Sequence, residues 1–221
     1  MTHDAAGLVR LLRGVARAVL PAATYSRVAN ERVYRRWLRE GRPVPPPNVV
    51  KWKTVRAYGR RFGLRTFVET GTHTGEMVNA VRDVFDRIVS LELHPDLHRG
   101  ARDRFRPYPH ITILRGDSST LLPILLTSLA EPCLFWLDAH VTGGTTGRGA
   151  SDTPILAELR SILDHDVRGH VVLIDDARLF TGAADYPTIE EVERIARHGF
   201  RGGVHCSVAN DVIRICPSTR A

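Results

Sequence analysis

The stretch Thr66-Phe67-Val68-Glu69-Thr70-Gly71-Thr72-His73-Thr74-Gly75 decides the fold. A β-favouring run passes without a break into a turn holding two glycines, and a helical pattern over 75–85 opens at the second. Glycine at such a turn lets the backbone approach a ligand closely, but a tight strand-to-helix turn needs glycine whether or not it binds anything. Its meaning therefore rests on the segments downstream. From Thr66 onward, short apolar runs at 66–70, 88–93, 111–115, 133–138 and 170–175 alternate with helical patterns near 75–85, 95–105, 119–129 and 153–165. That alternation predicts a mostly parallel sheet with helices on its faces. After a helix over Thr188–Arg197, the segments Gly203–Val208 and Asp211–Ile215 pattern as a hairpin turning at Ala209 and Asn210.

Acids stand where these strands end. In an open α/β sheet the carboxyl ends of the strands carry the site. Glu92 closes the second strand about 20 residues after the glycine turn, where a carboxylate commonly holds ribose hydroxyls. Asp117 and Ser118 follow the third, within reach of an adenine, although Asp117 also suits the N-cap of the helix after it. Leu134-Phe135-Trp136-Leu137 leads into Asp138, and Val171-Val172-Leu173-Ile174 leads into Asp175 and Asp176. Three carboxylates gathered at neighbouring strand ends repel one another unless a cation sits between them, and hard oxygen ligands suit Mg²⁺, Mn²⁺ or Ca²⁺.

Composition and the flanking segments set further bounds. The 221 residues fit one sizeable domain with appendages, and 43% apolar residues supply a core. The net charge of +7 is uneven: residues 1–65 carry 15 Lys and Arg against Asp4, Glu31 and Glu40. Those bases are spaced along helical patterns and are not interleaved with an RNA-reading motif, so nucleic acid is not the expected partner. Leu8–Leu20 is an amphipathic helical pattern broken by Arg10, Arg13 and Arg17, too short to span a bilayer, and no transmembrane segment is expected. Burial of Leu8, Leu11, Leu12, Val15 and Leu20 favours a homodimer. Pro21 ends that helix, Tyr25–Glu40 forms a second, and the run Gly41-Arg42-Pro43-Val44-Pro45-Pro46-Pro47 is extended. A third helix over Val49–Phe62 completes an N-terminal helical appendage, 1–63, before the body, 64–221. Cys133, Cys206 and Cys216 are too scattered for a disulfide framework or a zinc site and fit buried thiols in a reducing cytoplasm.

The glycine turn followed by acids at Glu92 and Asp117 resembles the class I S-adenosylmethionine (SAM) dependent methyltransferases over about residues 64–216. That likeness implies a Rossmann-like α/β class I methyltransferase fold: a mostly parallel seven-stranded sheet with an antiparallel C-terminal strand, here preceded by extra N-terminal helices. It implies that Glu69, Thr70, Gly71, Thr72 and Gly75 surround the methionine end of SAM, that Glu92 binds the ribose, and that Asp117 and Ser118 lie at the adenine, with Asp138 bordering the cofactor. His73 stands where many members have glycine. An NAD-type G-x-G-x-x-G is absent from this turn.

Asp138 with Asp175 and Asp176 is similar to the metal-binding set of catechol-type O-methyltransferases and of bacterial sugar O-methyltransferases, and the stretch 135–155, with Asp138, Ala139 and His140 before a glycine-rich loop, most resembles mycobacterial enzymes that methylate mannosides. The resemblance implies transfer of a methyl group to one hydroxyl of a vicinal diol, most plausibly of a sugar or oligosaccharide, with Mg²⁺ held by these three acids. His140, two residues beyond Asp138, is the candidate general base, its ordinary pKa of about 6.5 suiting the task. Catechol-type relatives use lysine there, and lysine is nearly absent from this chain. The glycine-rich run 142–150 is a candidate lid, and Arg178 and Tyr186 are candidate sugar contacts. Two rival readings are an RNA methyltransferase gripping phosphates through its basic N-terminal segment, and a non-catalytic protein that binds SAM or metal.

Overall fold

The computed structural model describes residues 22–139, 154–183, 185–200 and 202–218. The expected Leu8–Leu20 helix, His140 and the candidate lid lie outside the described residues. Two compact units divide between Val50 and Lys51. In the first, α1 (Ala22–Arg39) precedes the proline run. There the Trp37 indole donates to the Pro43 carbonyl at 2.8 Å, which lets Trp37 be buried with its polar atom satisfied. The next helix, α2 (Asn48–Arg61), contains the dividing line.

The second unit alternates as the sequence predicts: β1 (Thr66–Thr70), α3 (Glu76–Val81), β2 (Arg87–Glu92), α4 (Pro95–Phe105), β3 (Ile111–Arg115), α5 (Ser118–Leu126), β4 (Cys133–Leu137), α6 (Ile155–Asp164), β5 (Val171–Ile174), α7 (Ile189–Gly199), β6 (Val204–Ala209) and β7 (Val212–Pro217). The sheet order is β3-β2-β1-β4-β5-β7-β6, with β7 antiparallel to both of its neighbours. Between β1 and β4 the chain reverses its direction of travel across the sheet, which opens a crevice at the carboxyl ends of these strands.

Element bounds shift from expectation: α1 starts three residues before Tyr25, α5 ends three before 129, and two further differences have a local cause. Helix α3 stops at Val81, four residues before the end of the predicted pattern, and the Val84 amide bonds the Val81 carbonyl in the turn after it. The hairpin turns at Asn210 and Asp211, one residue later than predicted, with φ of 53° and 63° and Ala209 paired to Val212. Positive φ at both central residues matches the twist of the flanking strands, and Asn and Asp tolerate it best after glycine.

Alternation along the strands sorts side chains between two cores. Phe67, Leu134, Trp136 and Leu173 pack with Val55 of α2, Val78 of α3 and Phe105 of α4. Val68, Phe135, Leu137 and Val172 pack with Leu122 of α5, Leu159 of α6 and Val192 of α7. Carried to the strand ends, the same period of two puts Glu69, Glu92, Asp138 and Asp175 on the face covered by α2, α3 and α4. The acids of four strands thus share one side of the sheet. No described helix is long and apolar enough to cross a membrane.

Candidate functional site

The glycine turn is pinned from below by β2. Gly71 and Thr72 both direct their amides at the Leu91 carbonyl, at 2.9 and 3.2 Å. Gly71 has φ +88°, and a Cβ there would stand 2.6 Å from the backbone oxygen of Asp138, so β4 admits only glycine at this point. Glu92 fixes the rest of the turn: its Oε2 accepts from the His73 amide at 2.7 Å and its Oε1 from the His94 amide at 2.8 Å. His73 sits at φ 50°, a conformation held by this bond where glycine would adopt it freely. Two bonds leave a carboxylate with further lone pairs, so Glu92 retains the capacity to accept from a diol.

Beneath the turn, Ser90 donates to Glu69 Oε2 at 2.5 Å, and its hydroxyl lies 2.6 Å from that of Thr72. Burial, with the nearby charge of Glu92, outweighs the Ser90 bond and pushes the Glu69 carboxyl up to about 8. Asp117 is the N-cap of α5, its Oδ1 accepting from both the amide and the hydroxyl of Ser119 at 2.8 and 2.6 Å. Ser118 is buried at the start of the same helix.

Glu158 of α6, absent from the sequence-based candidates, is wholly enclosed on the opposite face. Among the described residues neither of its carboxylate oxygens makes a full hydrogen bond, although the hydroxyls of Ser118 and Thr70 ease its charge. Burial, with Asp117 adding to it, pushes this carboxyl up to about 7. A folded-state value above the unfolded one means that Glu158 costs no stability below about pH 4.5, and that the cost grows from there to about 7 and is fully present above. Glu158→Gln is expected to stabilise the protein by about 3 kcal/mol at pH 8 and by little at pH 4.5, as urea denaturation at the two pH values would measure.

At the other side of the crevice the ends of β4 and β5 are tied together, the Asp175 amide donating to the Leu137 carbonyl at 3.0 Å. Asp138, Asp175 and Asp176 each present a carboxylate oxygen, and these lie within 4.8 Å of one another. Asp176 reaches the cluster from a left-handed backbone, φ 54° and ψ 47°, with its amide donating to Asp175 Oδ1 at 2.8 Å. Such a set of hard oxygens fits a divalent cation.

A cation of the chain's own also reaches this place. Lys51 of α2 puts its Nζ 2.5 Å from Asp175 Oδ2 and 3.0 Å from Asp176 Oδ1. Burial and the neighbouring acids still leave the cluster short of positive charge. Asp138 is raised well above the usual carboxylate range by burial and by Asp175, and Asp175 is pushed up to about 6 by burial despite Lys51. Burial opposes ionisation of Asp176 too, but Lys51 and Arg178 together hold it below its ordinary value. Sequence reasoning missed Lys51 because it lies 124 residues from Asp175, on a helix read only as a lead-in. A usable signal was its rarity: apart from Lys51 and Lys53, every basic residue of the Lys and Arg set is arginine.

The structure places Arg178 against two acids. Its Nη1 lies 2.8 Å from Asp176 Oδ1 and also pairs with Asp211, whose Oδ1 accepts from the Arg178 amide at 2.8 Å. Asp211, buried in the hairpin turn, thereby ties that turn to the end of β5. Tyr186 packs edge-on against Phe180, with ring centroids 5.3 Å apart.

No family model matches the chain, and no curated protein matches it. Solved structures do. An O-methyltransferase from Bacillus cereus, in complex with SAH, superposes with a TM-score of 0.57 at 15% identity, covering 93% of this chain and 96% of that one. TomG, an O-methyltransferase from Streptomyces achromogenes involved in tomaymycin synthesis and solved with SAM, gives 0.57 at 17% identity over 87% and 90%. The SAH-bound methyltransferase PaMTH1 of Podospora anserina gives 0.56 at 17% over 99% and 97%. The chain thus has the Rossmann-like fold of these methyltransferases, as its strand order requires.

Proposed function

We propose that this protein is a SAM-dependent O-methyltransferase that acts, with Mg²⁺, on one hydroxyl of a vicinal diol of a saccharide such as a mannoside. The observation that carries the reading is the meeting of Asp138, Asp175 and Asp176 within 4.8 Å, across the same crevice as a glycine turn clamped by Glu92. The fold is shared with O-methyltransferases solved with SAM or SAH, which supports methyl transfer as the chemistry.

SAM, when bound, supplies an electrophilic methyl group on sulfur, and a divalent cation supplies charge that lowers the pKa of an acceptor hydroxyl and orients it. The chain's residues do the rest. The turn, held against the end of β4 at Gly71, would border the methionine end, with Glu69, Thr70, Thr72 and Gly75 around it. Glu92 would accept from the ribose hydroxyls with the lone pairs its two amide bonds leave over, and Asp117 and Ser118 would border the adenine. Asp138, Asp175 and Asp176 would hold the cation, and His140 would take the proton of the acceptor hydroxyl. Arg178, already bound to Asp176, and Tyr186 would contact the acceptor. We propose further that residues 1–63 form a helical appendage that supports a homodimer, and that the protein works in the cytoplasm.

Calorimetry tests the reading in order: SAM first, then Mg²⁺, then a panel of saccharides and catechols. Saturable SAM binding followed by metal-dependent diol binding is expected. Absence of SAM binding refutes the reading, as does diol binding that ignores the metal.

A further inference from the structure

We infer that Lys51 is a tethered counter-ion of the Asp138–Asp175–Asp176 cluster, whose ammonium must be displaced for a divalent cation to enter, so that this lysine sets the affinity of the site for metal. The inference rests on the metal-dependent reading above, and goes beyond it by giving a role to a residue outside the acid set.

The geometry forces a choice between the two cations. The Lys51 ammonium already stands at hydrogen-bond distance from oxygens of both Asp175 and Asp176. A Mg²⁺ ion binds carboxylate oxygens at about 2.0–2.1 Å and requires near-octahedral space around it. An ammonium centred 2.5 Å from one of those same oxygens fills that space, and two positive charges a few ångströms apart in a buried site repel strongly. The lysine side chain is 14% exposed, so it is enclosed with its partners yet has a route outward along a flexible four-carbon stem.

Residue choice agrees. In a chain where Lys51 and Lys53 are the sole lysines, a lysine at the carboxylate cluster departs from the chain's own bias toward arginine. A guanidinium is a planar fork that grips a carboxylate bidentately, whereas an ammonium is a compact point charge on a movable stem, closer to a metal ion in size and easier to dislodge. Asp176 does not lose all compensation when Lys51 leaves, because Arg178 Nη1 stays 2.8 Å from the same Oδ1. Lys51 thus acts as a positioning residue: it keeps mutually repelling acids together before metal arrives, at the cost of weaker metal binding.

The test is titration of the full-length protein with Mn²⁺, followed by electron paramagnetic resonance and calorimetry, in the wild type, Lys51→Met and Lys51→Gln. Each variant is also melted with and without the metal. Removing the ammonium, and with it the like-charge repulsion, is expected to tighten Mn²⁺ binding about tenfold or more. It is also expected to lower the melting temperature of the metal-free form, with the difference closing once Mn²⁺ is saturating. Mn²⁺ binding by the wild type with unchanged or weaker binding by both variants overturns the role of Lys51 and leaves the metal reading standing. Absence of Mn²⁺ binding in all three proteins overturns both. Lys51→Gln keeps the comparison available should the methionine variant fold poorly.

Discussion

Replacing Glu92 by alanine is expected to weaken SAM binding at least about a hundredfold, as calorimetry on the folded variant would measure. The carboxylate accepts the His73 and His94 amides at 2.7 and 2.8 Å, and hydrogen bonds to a charged group contribute about 1.5–3 kcal/mol each. Losing the first frees a histidine held at φ 50° to relax into an ordinary conformation, which moves the segment between Gly71 and Gly75. Losing the carboxylate also removes the acceptor for the ribose hydroxyls. Position and recognition fail together, so the effect exceeds that of either alone. Glu92→Gln, which keeps an acceptor oxygen but turns the other end into a donor facing an amide, should fall between. Wild-type affinity in Glu92→Ala would place the cofactor elsewhere.

Asp175→Ala should act on the opposite half of the site. Methyl transfer is expected to fall by about 4 kcal/mol of transition-state stabilisation, roughly a thousandfold, and to lose its response to Mg²⁺. SAM affinity should stay within a few-fold of wild type, because the Glu92 clamp and the Leu91 bonds to the turn are untouched. Full metal-independent turnover by the variant would remove metal from the mechanism. The two substitutions together separate the cofactor half of the crevice from the acceptor half.

The strands and their acid ends were legible because a short apolar run and an abrupt change from apolar to acidic are local signals. Cys133–Leu137 before Asp138 and Val171–Ile174 before Asp175 are buried on both faces, so each reads as a continuous apolar run. The electrostatic demand of the three acids was legible too, as a need for positive charge. What the sequence did not disclose is that the chain itself partly meets that need. Lys51 arrives at Asp175 through the packing of α2 on one face of the sheet, a relation between segments 124 residues apart. Asp211 was hidden for a similar reason: read as the start of a strand, it is instead a buried turn residue whose carboxylate meets Arg178 from across the hairpin. Glu158 carries no local mark, since its burial comes from how α6 lies against Thr70 and Ser118.

Incubation of the wild-type protein with methyl-labelled SAM and a panel of saccharides bearing free vicinal hydroxyls, in Mg²⁺ and in excess chelator, tests the central claim most directly. Label is expected on one hydroxyl of at least one saccharide in Mg²⁺, with transfer lost in chelator and restored by added metal. Transfer that proceeds equally in chelator, or label that reaches RNA and no diol, would contradict it.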